Sequence, residues 1–223
     1  MTQPIEDGDA RAFIQANTRL LQPPLVPEVR LHLAEESLPI WRKTEEELGV
    51  LNLPPPYWAF AWAGGQALAR YILDVPETVA GKSVLDFGTG SGLVAIAAAL
   101  TGAHHVTAND VDAYALAACR LNAAVNDVEL DIDDTDRTAA QPTDRRYDIV
   151  FLADVFYEKE LAEAAMVYAT AALGRGARVL VGDPRRSYFP VGRFAKTADY
   201  AVPVTRELED SEIKNSAVWE LLE

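Results

Sequence analysis

The spacing of hydrophobic and polar positions changes near residue 82 of the chain. Beyond it, short apolar runs alternate with segments in which apolar residues recur every three or four positions, patterns typical of strands and helices respectively. The predicted strands are 83–87, 106–108, 128–132, 148–153 and 178–182, and the predicted helices are 93–100, 112–125 and 159–173. This alternation predicts an α/β fold in which a parallel sheet carries helices on both faces.

The two ends of the chain follow other patterns. Residues 1–53 are expected to form an N-terminal helical extension, with one helix from Asp9 to Leu20 and another over 41–48. Residues 54–223 are expected to form the main domain, which opens with a helix over 66–73. Residues 200–208 and 217–222 alternate apolar and polar side chains, so they predict an antiparallel hairpin that closes one edge of the sheet.

Acidic side chains outnumber basic ones, with 34 Asp and Glu against 20 Lys and Arg, which gives a net charge of −14. A nucleic-acid-binding surface needs a basic footprint to displace counterions, so nucleic acid is not an expected partner. The longest apolar run, residues 93–100, is too short to span a membrane, and the first ten residues lack the apolar segment of a secretory signal. We therefore expect a cytoplasmic protein without a membrane partner.

Few residues of the sequence could bind a metal ion or act as a reactive thiol. Cys119 is the single cysteine of the sequence and lies within an apolar stretch, so we expect a buried structural thiol. The three histidines, His32, His104 and His105, show no metal-ligand spacing with other histidine, cysteine or carboxylate residues. The sequence therefore predicts no metal site.

The sharpest signal is a glycine loop between the first predicted strand of the sheet and the helix that follows it. Gly88, Gly90 and Gly92 stand there in the sequence Val-Leu-Asp-Phe-Gly-Thr-Gly-Ser-Gly-Leu. Glycines at this place let the backbone turn tightly and approach a ligand closely. The dinucleotide fingerprint would need a further glycine at position 93, which is Leu, and the Gly-Lys pair of the Walker A motif is absent.

Two carboxylates flank this loop and indicate the chemistry of its ligand. Asp86 lies two residues before the first glycine, where its charge would repel a pyrophosphate and attract an ammonium group. Asp110 ends the second predicted strand, about 20 residues past the glycines, where an acid binds ribose hydroxyls. S-adenosylmethionine, a nucleoside that bears an amino acid, satisfies both. The plainer alternatives are a simple turn at 88–92 and a helix-capping role for Asp110.

At this loop the chain resembles the seven-strand class I methyltransferases. Three outer motifs resemble more closely the protein-lysine methyltransferases that modify the electron transfer flavoprotein β-subunit. They are residues 58–70, before the loop, the Asp154-Val-Phe-Tyr157 segment and the Gly182-Asp-Pro-Arg185 segment. The resemblance covers about residues 54–190. It implies a Rossmann-like, mostly parallel seven-strand sheet and S-adenosylmethionine as cofactor, and, because no mitochondrial presequence is present, a bacterial member.

The resemblance also implies roles for residues outside the glycine loop. Trp62 and Gly64 would border the methionine end of the cofactor, although Trp62 also fits a core aromatic residue. Asp154 would contact the cofactor and position the incoming lysine ammonium, and Tyr157 would offer a ring wall and a hydroxyl to the lysine stem. The alternatives are a helix N-cap for Asp154 and ordinary packing for Tyr157. We also expect four acids, Asp154, Glu158, Glu160 and Asp183, to ring the mouth of the acceptor site.

The leading hypothesis is thus a protein-lysine N-methyltransferase that acts on the electron transfer flavoprotein β-subunit. Alternatives with the same chemistry are a methyltransferase for another protein, such as a ribosomal protein, or for a small-molecule amine. A nucleotide-binding dehydrogenase or epimerase is disfavoured by Leu93 and Asp86. A non-catalytic S-adenosylmethionine-binding module would leave the Asp154-Val-Phe-Tyr157 segment without a purpose.

Overall fold

The computed structural model describes residues 7–35, 40, 55–138, 147–205 and 211–223. The helices along these residues are α1 (Asp7–Asn17), α2 (Ala63–Asp74), α3 (Leu93–Leu100), α4 (Ala113–Val125) and α5 (Lys159–Leu173). The strands are β1 (Arg19–Leu21), β2 (Leu31–Leu33), β3 (Ser83–Phe87), β4 (His105–Asn109), β5 (Asp131–Asp133), β6 (Ile149–Ala153), β7 (Arg178–Asp183), β8 (Phe194–Pro203) and β9 (Ile213–Leu221).

The main sheet has seven strands within these residues, in the order β5-β4-β3-β6-β7-β9-β8. The first five are parallel, and β9 and β8 continue the sheet as an antiparallel hairpin. Phe87, the last residue of β3, pairs with Asn109 of β4 and with Leu152 of β6. The segments that follow these three strands therefore meet at one edge of the sheet, where ligands bind in open α/β folds. The predicted fold class is confirmed.

Burial on both faces explains the continuous apolar strands. In β6, Phe151 packs into a cluster with residues of α2 and α3, whereas Val150 and Leu152 pack on the opposite face against α5. All three side chains are fully buried. Because successive side chains of a strand point to opposite faces, a strand between two helical layers needs an apolar residue at every position. Phe151→Ala would cost about 3–5 kcal/mol of stability at such a site.

The N-terminal region contains a strand pair that the pattern did not predict. Helix α1 ends at Asn17, three residues before the predicted end, and β1 then pairs with β2 as an antiparallel two-stranded sheet. Three-residue strands are too short to show a clear alternation of apolar and polar residues, so the predicted helix extends into β1. The helix predicted over 41–48 lies outside the described residues, and the division at residue 53 stays a prediction.

Smaller boundary differences occur elsewhere in the fold. Helix α2 begins at Ala63, three residues earlier than predicted, and β8 begins at Phe194 rather than at residue 200. Strand β5 is shorter and later than the run 128–132 that predicted it. Among the described helices, none combines the length and the apolar character that a membrane span requires.

Candidate active site

The glycine loop connects β3 to α3 with a backbone that only glycine adopts readily. Gly88, Gly90 and Gly92 have φ values of +66°, +52° and +83°. The backbone N–H of Thr89 donates to the carbonyl of Asn109 at 2.9 Å, which ties the loop to β4. A Cβ at Gly92 would lie 2.8 Å from the sulfur of Cys119, so the loop packs directly on α4. The cysteine is the buried, free thiol expected from the sequence.

Asp86 lies beneath this loop and is 1% exposed. Its Oδ2 accepts hydrogen bonds from the Thr89 hydroxyl at 2.6 Å and from the Ala95 N–H at 3.2 Å. Its Oδ1 is buried and has no hydrogen-bond partner within the described structure. Burial raises the pKa of Asp86 to about 7, and the nearby charge of Asp110 adds to this rise. Asp86 is also one of the residues that line a cavity, and a buried carboxylate with an unpartnered oxygen is well suited to a cationic ligand.

Asp110 follows β4 and holds the loop in place. Its Oδ2 accepts from the Gly90 N–H at 2.9 Å and its Oδ1 from the Asp112 N–H at 3.0 Å. Burial also raises the pKa of Asp110. The N-cap of α4 is Asp112, whose carboxylate accepts from the Tyr114 N–H at 2.9 Å. The alternative in which Asp110 caps this helix is therefore wrong.

Aromatic side chains form the other end of the site. The Trp62 indole N–H donates to the carbonyl of Tyr57 at 2.9 Å, and the Tyr57 and Tyr157 rings have centroids 5.1 Å apart. Tyr57 and Tyr157 remain partly exposed. Burial, followed by the neighbouring Tyr57, raises the pKa of the Tyr157 phenol, so the phenol is neutral at physiological pH. Tyr57 was missed by the sequence analysis, because a residue after a proline run gives no signal of a binding role.

Asp154 lies near the aromatic end in a left-handed backbone conformation, with φ of +55°. Its Oδ2 accepts from the Gly65 N–H at 2.8 Å, at the N-terminus of α2. Its Oδ1 accepts from Arg186, at 2.6 Å from Nη2 and 2.9 Å from Nε. The N-cap position of α5 is occupied by Glu158, so the alternative of an N-cap role for Asp154 is wrong.

The expected ring of four acids is only partly present at the surface. Glu158 and Glu160 are exposed, but Asp154 is 8% exposed and Asp183 is fully buried. The Oδ1 of Asp183 accepts from the Arg186 N–H at 2.7 Å. Burial, together with the charge of Asp154, raises the pKa of Asp183 to about 7. The expectation was wrong for these two residues because the chain after β7 folds back over them.

A cavity of about 730 Å³ joins the glycine loop to the aromatic end. This volume is in the range of small-molecule and cofactor sites. Of the site residues predicted from the sequence, those that line it are Trp62, Asp86, Gly88, Gly90, Asp110, Asp154 and Tyr157. Gly64 and Gly92 lie behind it as packing positions. Arg137 and Thr138 also line the cavity and were not predicted. Within the described residues, no cluster of metal-ligating side chains occurs.

A parallel sheet of this strand order, with a glycine loop after its first core strand and an acid after the next, defines a class I methyltransferase fold. A solved structure agrees: magnesium protoporphyrin IX methyltransferase from Synechocystis, solved with bound SAM, aligns with a TM-score of 0.52. The alignment covers 71% of this chain and 80% of that one, at 16% identity. Residues 66–168 match the family model of ribosomal protein L11 methyltransferase.

Relatives that align over nearly the whole chain narrow this class. The electron transfer flavoprotein β-subunit lysine methyltransferase of Danio rerio is 36% identical over 219 residues, which cover 96% of this chain and 83% of the relative. The Homo sapiens protein of the same name is 34% identical over 219 residues, with 96% and 82% covered. The chain belongs to this lysine methyltransferase family, as the resemblance in its sequence implied.

Proposed function

We propose that this protein transfers a methyl group from S-adenosylmethionine to a lysine side chain of the electron transfer flavoprotein β-subunit. The observation that carries the proposal is a cavity that joins the acidic glycine loop to an aromatic acceptor end. The relatives that align along 96% of the chain, and whose names state this substrate, support the choice of substrate.

The residues of the glycine-loop end fit the methyl donor. The unpartnered Oδ1 of Asp86 would accept from the α-ammonium group. The Asp110 carboxylate, which accepts backbone hydrogen bonds from Gly90, Val111 and Asp112, would use a remaining lone pair to accept from the ribose hydroxyls. The left-handed glycines would let the backbone approach the ligand. When bound, the cofactor supplies an electrophilic methyl group on a sulfonium centre.

The aromatic end fits the apolar stem and the amine of a lysine. The rings of Tyr57, Trp62 and Tyr157 would line the stem and exclude water from the reacting atoms. The neutral Tyr157 hydroxyl would hydrogen-bond to the amine. Holding the nucleophile in line at about 3 Å is a large part of catalysis in such a transfer. The roles expected for Asp154 from the sequence, contact with the cofactor and positioning of the lysine ammonium, stay predictions. Its carboxylate also fixes the N-terminus of α2 and Arg186 at this end.

The partial match to ribosomal protein L11 methyltransferase favours a second candidate, methylation of a ribosomal protein. That match covers residues 66–168, which form the core that carries the glycine loop and Asp110. The segments outside it, which include the Tyr57–Trp62 region and Arg186, align instead with the flavoprotein methyltransferases. The proposed substrate is therefore the flavoprotein subunit. A cytoplasmic location and a bacterial origin remain predictions from the sequence.

Mass spectrometry of the β-subunit tests this proposal in cells that carry the gene and in cells that lack it. We expect methylated lysine on one or a few positions in the first strain and unmodified lysine in the second. Identical lysine masses in the two strains would reject the β-subunit as substrate. Digests of the ribosomal proteins from the same cells test the second candidate, and the small-molecule fraction tests an amine acceptor.

A further inference from the structure

A guanidinium group already lies at the acceptor end of the cavity. Arg186 contacts the Asp154 carboxylate through two of its nitrogens, and its side chain is only 17% exposed. Its Cζ lies 5.4 Å from the centroid of the Trp62 ring, which is cation–π distance. Arg186 and Asp154 both line the cavity. A positive charge is therefore held where the proposed function brings in the amine of a lysine.

The backbone after β7 fixes Arg186 in this position. The Asp183 carboxylate accepts from the Arg186 N–H at 2.7 Å, and the Asp183 carbonyl accepts from the Trp219 indole at 3.1 Å. Arg185, between them, has a φ of +65°, a conformation that costs a non-glycine residue energy. The turn that aims Arg186 at Asp154 is thus tied to both β7 and β9.

The charge of the acceptor site decides how easily a lysine reacts. A free lysine amine has a pKa of about 10.4, so only about one in 10³ is neutral near pH 7, and only the neutral form is a nucleophile. A carboxylate within about 4–6 Å stabilises the ammonium form and raises the pKa of the amine by about 1–3. An unpaired Asp154 would therefore oppose the reaction, whereas a paired Asp154 has its charge cancelled at this distance.

We propose that Arg186 is a positioning residue that neutralises Asp154 and so keeps the acceptor lysine in its neutral, nucleophilic form. This inference rests on the proposed function. The lysine releases its proton to solvent water. Its lone pair then forms the N–C bond as the donor's methyl–sulfur bond breaks, with that electron pair left on sulfur. The product is a methylated ammonium and a neutral thioether.

The other charged and titratable groups come from the cavity wall and from β7. Those that line the cavity are Tyr57, Tyr157, Glu158, Asp86, Asp110, Asp112 and Arg137. Asp183 of β7 interacts with the charges of both Asp154 and Arg186. Glu158 is exposed and therefore screened by solvent. The two phenols are neutral, since burial raises the pKa of each. Beside these groups, Arg186 and Asp154 form an ion pair that places opposite charges in direct contact at the acceptor end.

The pH dependence of kcat/KM separates this role from a structural one. In Arg186→Gln, Asp154 loses this counter-charge, so the rising limb of the pH profile should move up by about one pH unit, with a loss of about tenfold near pH 7 that recovers in alkali. In Asp154→Asn, Arg186 loses this partner, and the same limb should move to lower pH. Arg186→Lys keeps the charge and should keep the limb near its wild-type position. Equal losses at every pH in Arg186→Gln would overturn the proposal.

Binding of n-butylamine gives a second test that needs no protein substrate. The holoprotein saturated with S-adenosylhomocysteine is titrated with butylamine at about pH 7 and about pH 10, with binding followed by NMR. Wild type should prefer the neutral amine and bind several-fold tighter at the higher pH, whereas Arg186→Gln should bind the ammonium better near pH 7. The same preference in both proteins would overturn the proposal even if the β-subunit proved not to be the substrate. Unchanged affinity for S-adenosylhomocysteine shows that each variant is folded. If Arg186→Gln does not fold, Asp154→Asn tests the inference instead, because its preference for the neutral amine should be stronger than that of wild type.

Discussion

Gly64 of α2 and Gly182 of β7 touch backbone to backbone, because a Cβ on either would overlap the carbonyl oxygen of the other. This contact brings the N-terminus of α2 onto the sheet, where the Gly65 N–H donates to Asp154. A Cβ at Gly64 would also lie 2.6 Å from the Asp154 carboxylate. The two glycines thus set how closely helix and strand approach, and with them the position of the acid that pairs with Arg186.

Gly64→Ala should destabilise the protein by about 1–3 kcal/mol, because neither backbone can move without breaking the α2–β7 packing. A loss of this size lowers the melting temperature by about 2–4 °C per kcal/mol in a chain of this length. The matched control is Gly65→Ala, where the nearest atom to a new Cβ lies at 3.9 Å. Its stability should stay within about 1 kcal/mol of wild type. Equal losses in the two variants would contradict the close-contact role of Gly64.

Asp110→Ala should weaken binding of S-adenosylhomocysteine by about 1.5–3 kcal/mol, because it removes a charged acceptor for ribose and the tie to Gly90. Asp112→Ala is the matched control, since Asp112 is the neighbouring carboxylate that caps α4. It should lose about 0.5–2 kcal/mol of stability and retain most of the binding. Calorimetric titration beside thermal melting measures both quantities. A larger binding loss in Asp112→Ala would reverse the two assignments.

Binding of S-adenosylhomocysteine should tighten as the pH rises from about 6 to about 8. The reason is that the pKa of Asp86 is about 7 in the free protein, and its charged form pairs best with the ligand ammonium. Below that pH, binding has to displace the proton of Asp86. Asp86→Asn should bind more weakly and lose this pH dependence. Methylthioadenosine, which lacks the amino acid, should bind wild type equally at the two values. The same slope for both ligands would exclude Asp86 as the ammonium site.

The ligand-free protein should melt at a lower temperature near pH 8 than near pH 5.5. Asp86, Asp112 and Asp183 have a pKa near 7, against 3.8 for an exposed aspartate, because burial disfavours their charged forms. Between about pH 4 and pH 7 the folded state thus binds more protons than the unfolded state, and stability falls as the pH rises.

Ion pairs that lower the pKa of a carboxylate affect stability at lower pH. Salt-bridged Glu28 and Glu220 have a lowered pKa, so the stability they contribute is lost only in more acidic solution. Asp183→Asn removes one of the groups with a raised pKa, so the melting temperature should change less between pH 5.5 and pH 8 than it does in wild type. A slope equal to that of wild type would show that Asp183 does not contribute.

The sequence was enough to predict the parts of the fold and site that depend on local pattern. Helix α5 begins and ends where periodicity placed it, and Asp86, the glycine loop and Asp110 meet as their spacing indicated. The pair Arg186–Asp154 was not predictable, because it joins loops 32 residues apart through a turn with a left-handed Arg185. The burial of Asp183 depends on β9 and Trp219, which lie still further along the chain.

The most direct test of the central claim is the intact mass of purified β-subunit after incubation with this protein and S-adenosylmethionine. The Asp110→Ala variant at the same concentration serves as the control for cofactor-dependent transfer. We predict that wild type adds the mass of one or more methyl groups, that fragmentation places them on lysine, and that the variant is much slower. The wild-type protein used in this test must bind the cofactor. If it does and the mass of the β-subunit still stays unchanged, the proposed substrate is contradicted.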